Sequence, residues 1–452
     1  MIDTARDLGF AAARAAVDPD RLRPLLDACL AERGAPASLR SLELANAWYR
    51  PGRDLSAVYR ARLDGAAADA ATHLLAVHRA FEARAARRIE KSQRRFEAEP
   101  AATSALGRPF HHFPQIQMAL WVFPSDPMLR SLPALLDPAA GRRLGFEPSP
   151  VVLRYVPSSR AVLRYTAAAG GERRDGWPEA VICKVYRSDE ALSRALRVLT
   201  DLWQRLHASG APFQVPRPLH HDPDLRALWM SFVPGTPLGA PGANLDAAAA
   251  ERAGRGLAWL HRDADRAGNA GAVEWEWTLT PEQELERVAR VCDFIRGIEP
   301  VFGADLDRVH AALVAQLPRL PPARPVLTHA SFRLKHVLSD GERMHLIDSD
   351  NALHTDPLFD LAQFVTSLHD TEAQGILPAG RAAELEATFL EGYAVESGRP
   401  VPAPALHWYA ASLLLERRCW KHLKHLSPNA VPMIRRLLDL ALRRAEKLQA
   451  EG

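Results

Sequence analysis

The alternation of hydrophobic and polar positions predicts strands in the first half of the chain and helices in the second. The stretch WYRPGRDLSAVYRARL, Trp48 to Leu63, places a tyrosine two residues before a proline, then a turn and an alternating strand. RYVPSSRAVLRYTA, Arg154 to Ala167, repeats this hairpin pattern. From about residue 244 the apolar residues recur at helical spacing. Strands followed by helices indicate an α+β fold.

The two hairpins open two similar stretches of sequence. Each hairpin is followed by an apolar strand that leads into a helix, and then by an Ala-Leu-Trp strand. Ala76 and Trp121 are 45 positions apart, as are Lys184 and Trp229. We interpret residues 38–124 and 148–234 as two copies of one unit, with chance similarity of strand-like segments as the alternative. In this alignment Lys184 matches Ala76, so the first copy would be a structural duplicate, a cap or a docking surface.

Composition and charge exclude several classes of protein. The 452 residues are 47% hydrophobic and 25% charged, with a net charge of +3, which is ordinary for a globular protein of several domains. This balance gives no reason to expect a nucleic acid or a membrane as partner. The scattered cysteines (Cys29, Cys183, Cys292 and Cys419) predict reduced core residues in a cytoplasmic protein.

The segment from Pro325 to Val365 interrupts the helical pattern and carries the candidate chemistry. It predicts a strand ending at His329, a short loop, and a hairpin with its turn at Asp340-Gly341. Asp348 follows the end of a buried strand, which is a position that suits a metal ligand.

This segment resembles the catalytic region of aminoglycoside phosphotransferases and choline-kinase-like enzymes. The family pattern is H-G-D-x-x-x-x-N, a hairpin, I-D-x-x, and then G-D-P-x-x-D-L-A. Here the corresponding letters are HASFRLKH at 329–336, IDSD at 347–350 and TDPLFDLA at 355–362. The lysine-bearing strand VICKVY, a hinge-like segment at 229–235 and L-x-x-L-H at 257–261 precede it in the family's order.

The resemblance spans about residues 150–400 and implies a two-lobed, protein-kinase-like α+β fold with an additional N-terminal domain. We predict an N-terminal helical segment (1–37), a duplicate of the small lobe or a cap (38–147), a nucleotide-binding small lobe (148–238) and a helical large lobe (239–452) that contains the catalytic-loop region (325–365).

The resemblance also implies ATP and Mg²⁺ or Mn²⁺ as cofactors, and it assigns candidate roles. Lys184 would hold phosphates and pair with Glu190, and Asp348 would ligate the metal. The hinge residues that would meet adenine are Ser231, Phe232 and Val233. His329 is a candidate for the catalytic loop, with bracing of that loop as its favoured role.

Two positions depart from the family pattern. Ser331 stands where the family has its catalytic aspartate, and a serine hydroxyl does not accept a proton near neutral pH as a carboxylate does. His336 stands where the family has a metal-ligating asparagine, and imidazole prefers softer ions such as Mn²⁺ or Zn²⁺. Asp350 is the nearby carboxylate that could take over as the base.

These departures leave the activity open between two main hypotheses. One is ATP-dependent phosphoryl transfer to a small hydroxyl- or amine-bearing metabolite. The other is a pseudokinase that binds a nucleotide, or acts as a scaffold for a protein partner, without phosphoryl transfer. Transfer of a nucleotide is a third, weaker hypothesis. The sequence identifies neither the acceptor nor the oligomeric state.

Overall fold

The computed structural model describes residues 9–64, 72–98, 104–172, 174–208, 210–243, 245–262, 278–322 and 325–450. Contacts divide the chain into two units. The first consists of 1–192, 220–229 and 423–428, and the second of 193–219, 230–422 and 429–452. Each unit combines several separate segments of the chain, so this division does not test the predicted domain boundaries. They stay predictions. The sequence also predicts that Asn244 caps a helix and that about residues 265–320 build the acceptor pocket. Asn244 and residues 265–277 lie outside the described residues.

The first unit contains both predicted hairpins. Its helices are α1 (Gly9–Ala16), α2 (Pro19–Glu32), α3 (Ala83–Ala98), α4 (Leu132–Leu136) and α5 (Pro138–Arg143). Its strands are β1 (Ser38–Arg50), β2 (Asp54–Asp64), β3 (His73–Ala80), β4 (Phe110–Phe113), β5 (Met118–Val122), β6 (Val151–Val156), β7 (Arg160–Thr166) and β8 (Ala180–Tyr186). Helix α6 (Asp189–Ala208) and strands β10 (Pro218–Asp222) and β11 (Ala227–Ser231) continue from one unit into the other.

Two five-stranded sheets have the same topology. The strand order is β1-β2-β3-β5-β4 in the first sheet and β10-β11-β8-β7-β6 in the second. When the strands of each sheet are numbered along the chain and the second sheet is read from β6, both sheets have the order first, second, third, fifth and fourth. The hairpin turns join Arg50 to Asp54 and Val156 to Arg160, which confirms the predicted hairpins. The shared order supports the interpretation of two copies of one unit.

Strand pairing corrects the alignment of the two copies. When the hairpin turns are matched, Val162 is the counterpart of Ser56. Val162 pairs with Lys184, and Ser56 pairs with His78. The counterpart of Lys184 is therefore His78, and the predicted match with Ala76 was wrong by two positions. The error arose because the spacing was counted from the tryptophans, and the loops between strands differ in length. The first copy still lacks a lysine at this position.

The second unit contains the predicted helices and the catalytic-loop hairpin. Its helices are α7 (Ala247–Leu260), α8 (Pro281–Ile298), α9 (Gly303–Gln316), α10 (Leu358–Ala373), α11 (Arg381–Ser397), α12 (Ala403–Leu413), α13 (Trp420–Lys424) and α14 (Ala430–Ala450), with a π-helical segment (Leu414–Cys419) after α12. Its strands are β9 (Phe213–Gln214), β12 (Thr236–Pro237), β13 (Val326–Thr328), β14 (Val337–Ser339), β15 (Met344–Leu346) and β16 (Leu353–Thr355).

Local sequence signals explain where these elements begin and turn. The sequence Thr280-Pro281-Glu282-Gln283 predicts a capping box. Thr280 and Gln283 form it at the start of α8, each side chain bonding the other's backbone N–H. Asp246 caps α7, because its carboxylate accepts a hydrogen bond from Ala249 N at 2.8 Å. Strands β14 and β15 pair around the predicted Asp340-Gly341 turn. In the part of the chain that the structure describes, no helix is long and apolar enough to span a bilayer.

Candidate nucleotide and metal site

The loop after β13 is held by a buried histidine. The side chain of His329 is fully buried, and its Nε2 donates a 3.1 Å hydrogen bond to the carbonyl of Ile347. Its backbone N–H donates to the Asp360 carboxylate at 2.6 Å. Burial lowers the pKa of His329, although the carboxylates of Asp360 and Asp348 oppose this shift. The neutral ring therefore braces the loop, and its burial keeps it from the surface where a substrate would bind.

Two aspartates near the start of α10 bind backbone N–H groups. Asp356 accepts a 2.8 Å hydrogen bond from the backbone N–H of Leu358, the first residue of α10. Asp360 is fully buried, and besides holding His329 N its carboxylate lies 3.3 Å from Nε2 of His261. The sequence suggests that Asp360 caps its helix and braces the catalytic loop. The structure confirms the bracing of the loop, whereas Asp356 is the aspartate that binds the first N–H of α10.

Two non-glycine residues of the site have left-handed backbone conformations. Ala330 has φ of 53° at the position where the family pattern has glycine. Asp348 has φ of 63° and precedes the turn Ser349–Asn351. Such conformations are strained for residues with a Cβ atom, and they are enriched at functional sites.

The substituted catalytic-loop residues are in direct contact with each other. Nδ1 of His336 lies 2.9 Å from the backbone carbonyl oxygen of Ser331. A carbonyl oxygen only accepts hydrogen bonds, so Nδ1 carries the proton. Nε2 of the same ring lies 3.3 Å from Oδ2 of Asp348. Burial lowers the pKa of His336 well below its ordinary value, with the Asp348 carboxylate opposing that shift.

This arrangement fits a divalent metal ion. In the neutral ring with its proton on Nδ1, Nε2 presents a lone pair toward the Asp348 oxygen, and both atoms are metal donors. Metal-ligating histidines usually donate their other ring N–H to a carbonyl or carboxylate, as His336 does to Ser331. Within the described residues, no group of three or more His, Cys, Asp or Glu side chains could hold a metal. A bound molecule would therefore have to complete the ligand set.

Asp350 lies in the short turn after Asp348, beside a guanidinium group from α6. Burial lowers the pKa of Arg194, and the Asp350 carboxylate opposes this shift. Arg194 also donates a 3.2 Å hydrogen bond to the carbonyl of Ala352. Asp350 is thus a carboxylate with a cationic neighbour, which favours its ionised form.

The predicted phosphate-holding lysine lies in the first unit. Lys184 is on β8, pairs with Val162 and is 8% exposed. Glu190 is exposed in the first turn of α6, where a hydrogen bond from the Ser188 hydroxyl lowers the pKa of the glutamate. Lys184 and Asp348 belong to different units, so their meeting across a cleft stays a prediction.

A buried aspartate that was not among the residues predicted from the sequence holds the turn between β6 and β7. Ser158 in this turn has φ of 55°, and its backbone N–H donates a 2.8 Å hydrogen bond to Asp126. Tyr155 O–H donates to the same carboxylate oxygen at 2.7 Å. Asp126 is 1% exposed, and burial raises its pKa, although these hydrogen bonds oppose the shift. The only available signal was Ser125-Asp126-Pro127, an ordinary turn sequence.

The predicted hinge residues line a cavity of about 980 Å³ in the second unit. Ser231, Phe232 and Val233 form one side of it, with the rings of Trp203 and Trp259 also on its wall. Its lining does not include Ser331, His336 or Asp348.

Comparison with known proteins identifies the family. The model of the phosphotransferase enzyme family (APH) matches residues 166–403. No curated protein matches the chain. Among solved structures, macrolide 2'-phosphotransferase MphH from Brachybacterium faecium is 22% identical with a TM-score of 0.45, over 70% of this chain and 98% of that chain. Choline kinase LicA from Streptococcus pneumoniae is 14% identical with a TM-score of 0.46, over 70% of this chain and 99% of that chain.

The family match covers more than half of the chain and contains every candidate site residue named from the sequence. Strands β1–β5 and helices α1–α5 precede it and make up the additional N-terminal region. The predicted α+β, kinase-like fold with an additional N-terminal region is confirmed. The chain belongs to the phosphotransferase enzyme family.

Proposed function

We propose that this protein transfers a phosphoryl group from ATP to a small hydroxyl- or amine-bearing metabolite, with a divalent metal as cofactor. The observation that carries the proposal is the contact between His336 and Asp348. Although asparagine is replaced, these two side chains keep a pair of metal donors at the end of the catalytic loop. Family membership supports phosphoryl transfer to small molecules in general.

The proposed roles follow from the demands of the reaction. Phosphoryl transfer needs positioning of the phosphates and neutralisation of their charge, and a bound metal ion supplies part of that neutralisation. His336 and Asp348 would hold the metal, Lys184 would hold the phosphates, and the hinge would hold the adenine ring. The hydrogen bonds of His329 and Asp360 brace the loop that leads to Ser331 and His336.

The missing aspartate at position 331 slows this chemistry but does not forbid it. Loss of a general base typically costs about 10²–10⁴-fold in rate. The loose transition state of phosphoryl transfer lessens the need for a base, because the acceptor contributes little bonding before the phosphoryl group leaves. Asp350 is our candidate for the residue that accepts the acceptor's proton.

The second candidate function is a pseudokinase that binds nucleotide without phosphoryl transfer. Ser331 favours it, since this residue is 6% exposed and its carbonyl is engaged by His336. A hydroxyl at this position offers no carboxylate base.

Nucleotide binding and turnover separate the two functions. Thermal shift with the non-hydrolysable analogue AMP-PNP and either Mg²⁺ or Mn²⁺ measures binding, because a ligand of the native state raises its stability. We expect a shift that disappears in Lys184→Ala. ADP formation from ATP in the presence of small amino alcohols and amino sugars measures turnover, and we expect Asp350→Asn to abolish it. Binding without turnover would support the pseudokinase, and absence of binding would contradict both functions.

A further inference from the structure

Two buried histidines in the catalytic hairpin contact aspartates in different ways. Nε2 of His345 lies 2.9 Å from Oδ2 of Asp340, which is the usual length of a charge-assisted hydrogen bond. Nδ1 of His345 is buried and has no hydrogen-bond partner within the described residues. The proton of this ring is therefore on Nε2, where it binds the carboxylate.

His336 has the opposite arrangement. Its Nδ1 proton is already used by the carbonyl of Ser331 at 2.9 Å, so in the neutral ring Nε2 has no proton to share with Asp348. The separation of 3.3 Å between Nε2 and Oδ2 is longer than a charge-assisted hydrogen bond, which measures about 2.7–2.9 Å. A metal cation bound by both atoms would bring these two acceptors into one attractive interaction.

We propose that His336 and Asp348 form a mixed imidazole and carboxylate site that selects a transition metal ion such as Mn²⁺ or Co²⁺ over Mg²⁺. Mg²⁺ prefers oxygen donors, whereas an imidazole nitrogen favours ions further along the first transition row. Replacement of the family's asparagine by His336 thus changes the donor from an amide oxygen to a nitrogen. The Ser331 carbonyl orients the ring, as an outer-shell partner does in known metal sites.

This inference deepens the proposed function, since it rests on the same site and names its metal. It also explains why the chain has histidine in place of the family's asparagine at position 336 but keeps the family's aspartate at position 348. The substitution changes the identity of the ion without removing the pair of protein donors. A bound triphosphate would supply the remaining ligands, which agrees with the absence of a third acidic, His or Cys ligand among the described residues.

The first test uses the metal alone, so that its outcome does not depend on nucleotide binding. CoCl₂ is titrated into the full chain, and the visible absorption of protein-bound Co²⁺ is recorded. We expect a saturable band for the wild type and a loss of apparent affinity of at least about 10–100-fold in His336→Asn, the range that loss of a mere outer-shell partner already causes. His345→Asn is the matched control in the same hairpin, and its Co²⁺ affinity should equal that of the wild type.

The second test identifies the ligating atom. Pulsed electron paramagnetic resonance of the Mn²⁺·AMP-PNP complex should show hyperfine coupling to one histidine nitrogen. The coupling should change on ¹⁵N-histidine labelling, vanish in His336→Asn and remain in His345→Asn. His336→Asn should also shift the preference from Mn²⁺ toward Mg²⁺.

The outcomes separate this inference from the proposed function. One outcome is that AMP-PNP raises the melting temperature, while Mn²⁺ shows no nitrogen coupling and Co²⁺ shows no band that depends on His336. In that case the metal assignment is overturned and the proposed function survives. If the Co²⁺ band depends on His336 while AMP-PNP does not bind, the metal assignment survives and the function fails. An ion pair between imidazolium and carboxylate would give no metal binding in either test.

Discussion

The backbone N–H of Ser158 donates a 2.8 Å hydrogen bond to the buried carboxylate of Asp126, which follows the last strand of the N-terminal sheet along the chain. Tyr155 binds the same carboxylate, and Trp121 Nε1 donates to the Tyr155 hydroxyl at 2.7 Å. The N-terminal sheet is therefore connected by hydrogen bonds to the turn between β6 and β7. That turn opens the small-lobe sheet, and its sequence, Pro157-Ser158-Ser159-Arg160, makes it a candidate arch over the phosphates of a nucleotide.

We predict that Asp126→Asn weakens both stability and nucleotide binding. The amide NH₂ group would face a hydrogen-bond donor on either side, at a cost of about 1–3 kcal/mol in unfolding free energy. The released turn should also weaken AMP-PNP binding, measured by calorimetry. Tyr155→Phe is the control, since it removes one donor but leaves Ser158 bound to the carboxylate. It should lower stability with little effect on the dissociation constant. A folded Asp126→Asn protein with unchanged affinity would refute the role of this turn.

Position 330 gives a prediction on stability. Ala330 has φ of 53°, and a left-handed conformation costs about 1–2 kcal/mol for a residue with a Cβ atom. Ala330→Gly removes that strain, while the greater entropy of glycine in the unfolded chain costs about 0.4–1 kcal/mol. We expect a net gain of up to about 1 kcal/mol in urea unfolding.

The control for Ala330→Gly is Ala311→Gly on the exposed face of α9, which should lose about 0.5–1 kcal/mol. A comparable loss at both positions would show that Ala330 is not strained.

Stability should fall in acid because of Glu386. Burial alone would raise the pKa of this carboxyl group, but the hydrogen bonds from His369 and Arg444 outweigh burial and lower the pKa to about 2. Since the pKa in the folded state lies below that of the unfolded state, the stabilisation is complete above about pH 4.5 and is lost as the pH falls toward 2.

The contribution of Glu386 amounts to at most about 3 kcal/mol. Urea unfolding at several pH values measures it, and Glu386→Gln should be less stable at pH 6 and show a shallower loss between pH 4.5 and 2. Parallel curves for the two proteins would exclude Glu386 as a source of the acid sensitivity.

The features of the fold and of the site that could be predicted from the sequence are those that depend on local patterns. The hairpins, the capping box at Thr280 and the turn at Asp340-Gly341 depend on neighbouring residues, and each is found where it was expected. The alignment of Lys184 failed because loop lengths differ between the two sheets, which only strand pairing reveals. Family spacing identified Asp348 and His336, although it could not show their mutual contact.

Two features of the site depend on tertiary structure and had no sequence signal. Asp126 acts on a turn 32 residues away through a buried hydrogen bond. The position of the proton on His336 follows from the hydrogen bond between its Nδ1 and the carbonyl oxygen of Ser331. A residue type alone specifies neither a backbone direction nor a tautomer.

The most direct test of the whole account is a double-mutant cycle on nucleotide affinity. Calorimetry with AMP-PNP and Mn²⁺ would compare the wild type, Lys184→Ala, Asp348→Asn and the double variant, with Lys91→Ala on the exposed face of α3 as control. If Lys184 and Asp348 bind the same triphosphate, each single substitution lowers the affinity for AMP-PNP. The loss of binding free energy in the double variant then differs from the sum of the two single losses. Unchanged affinity in either single variant would contradict the account.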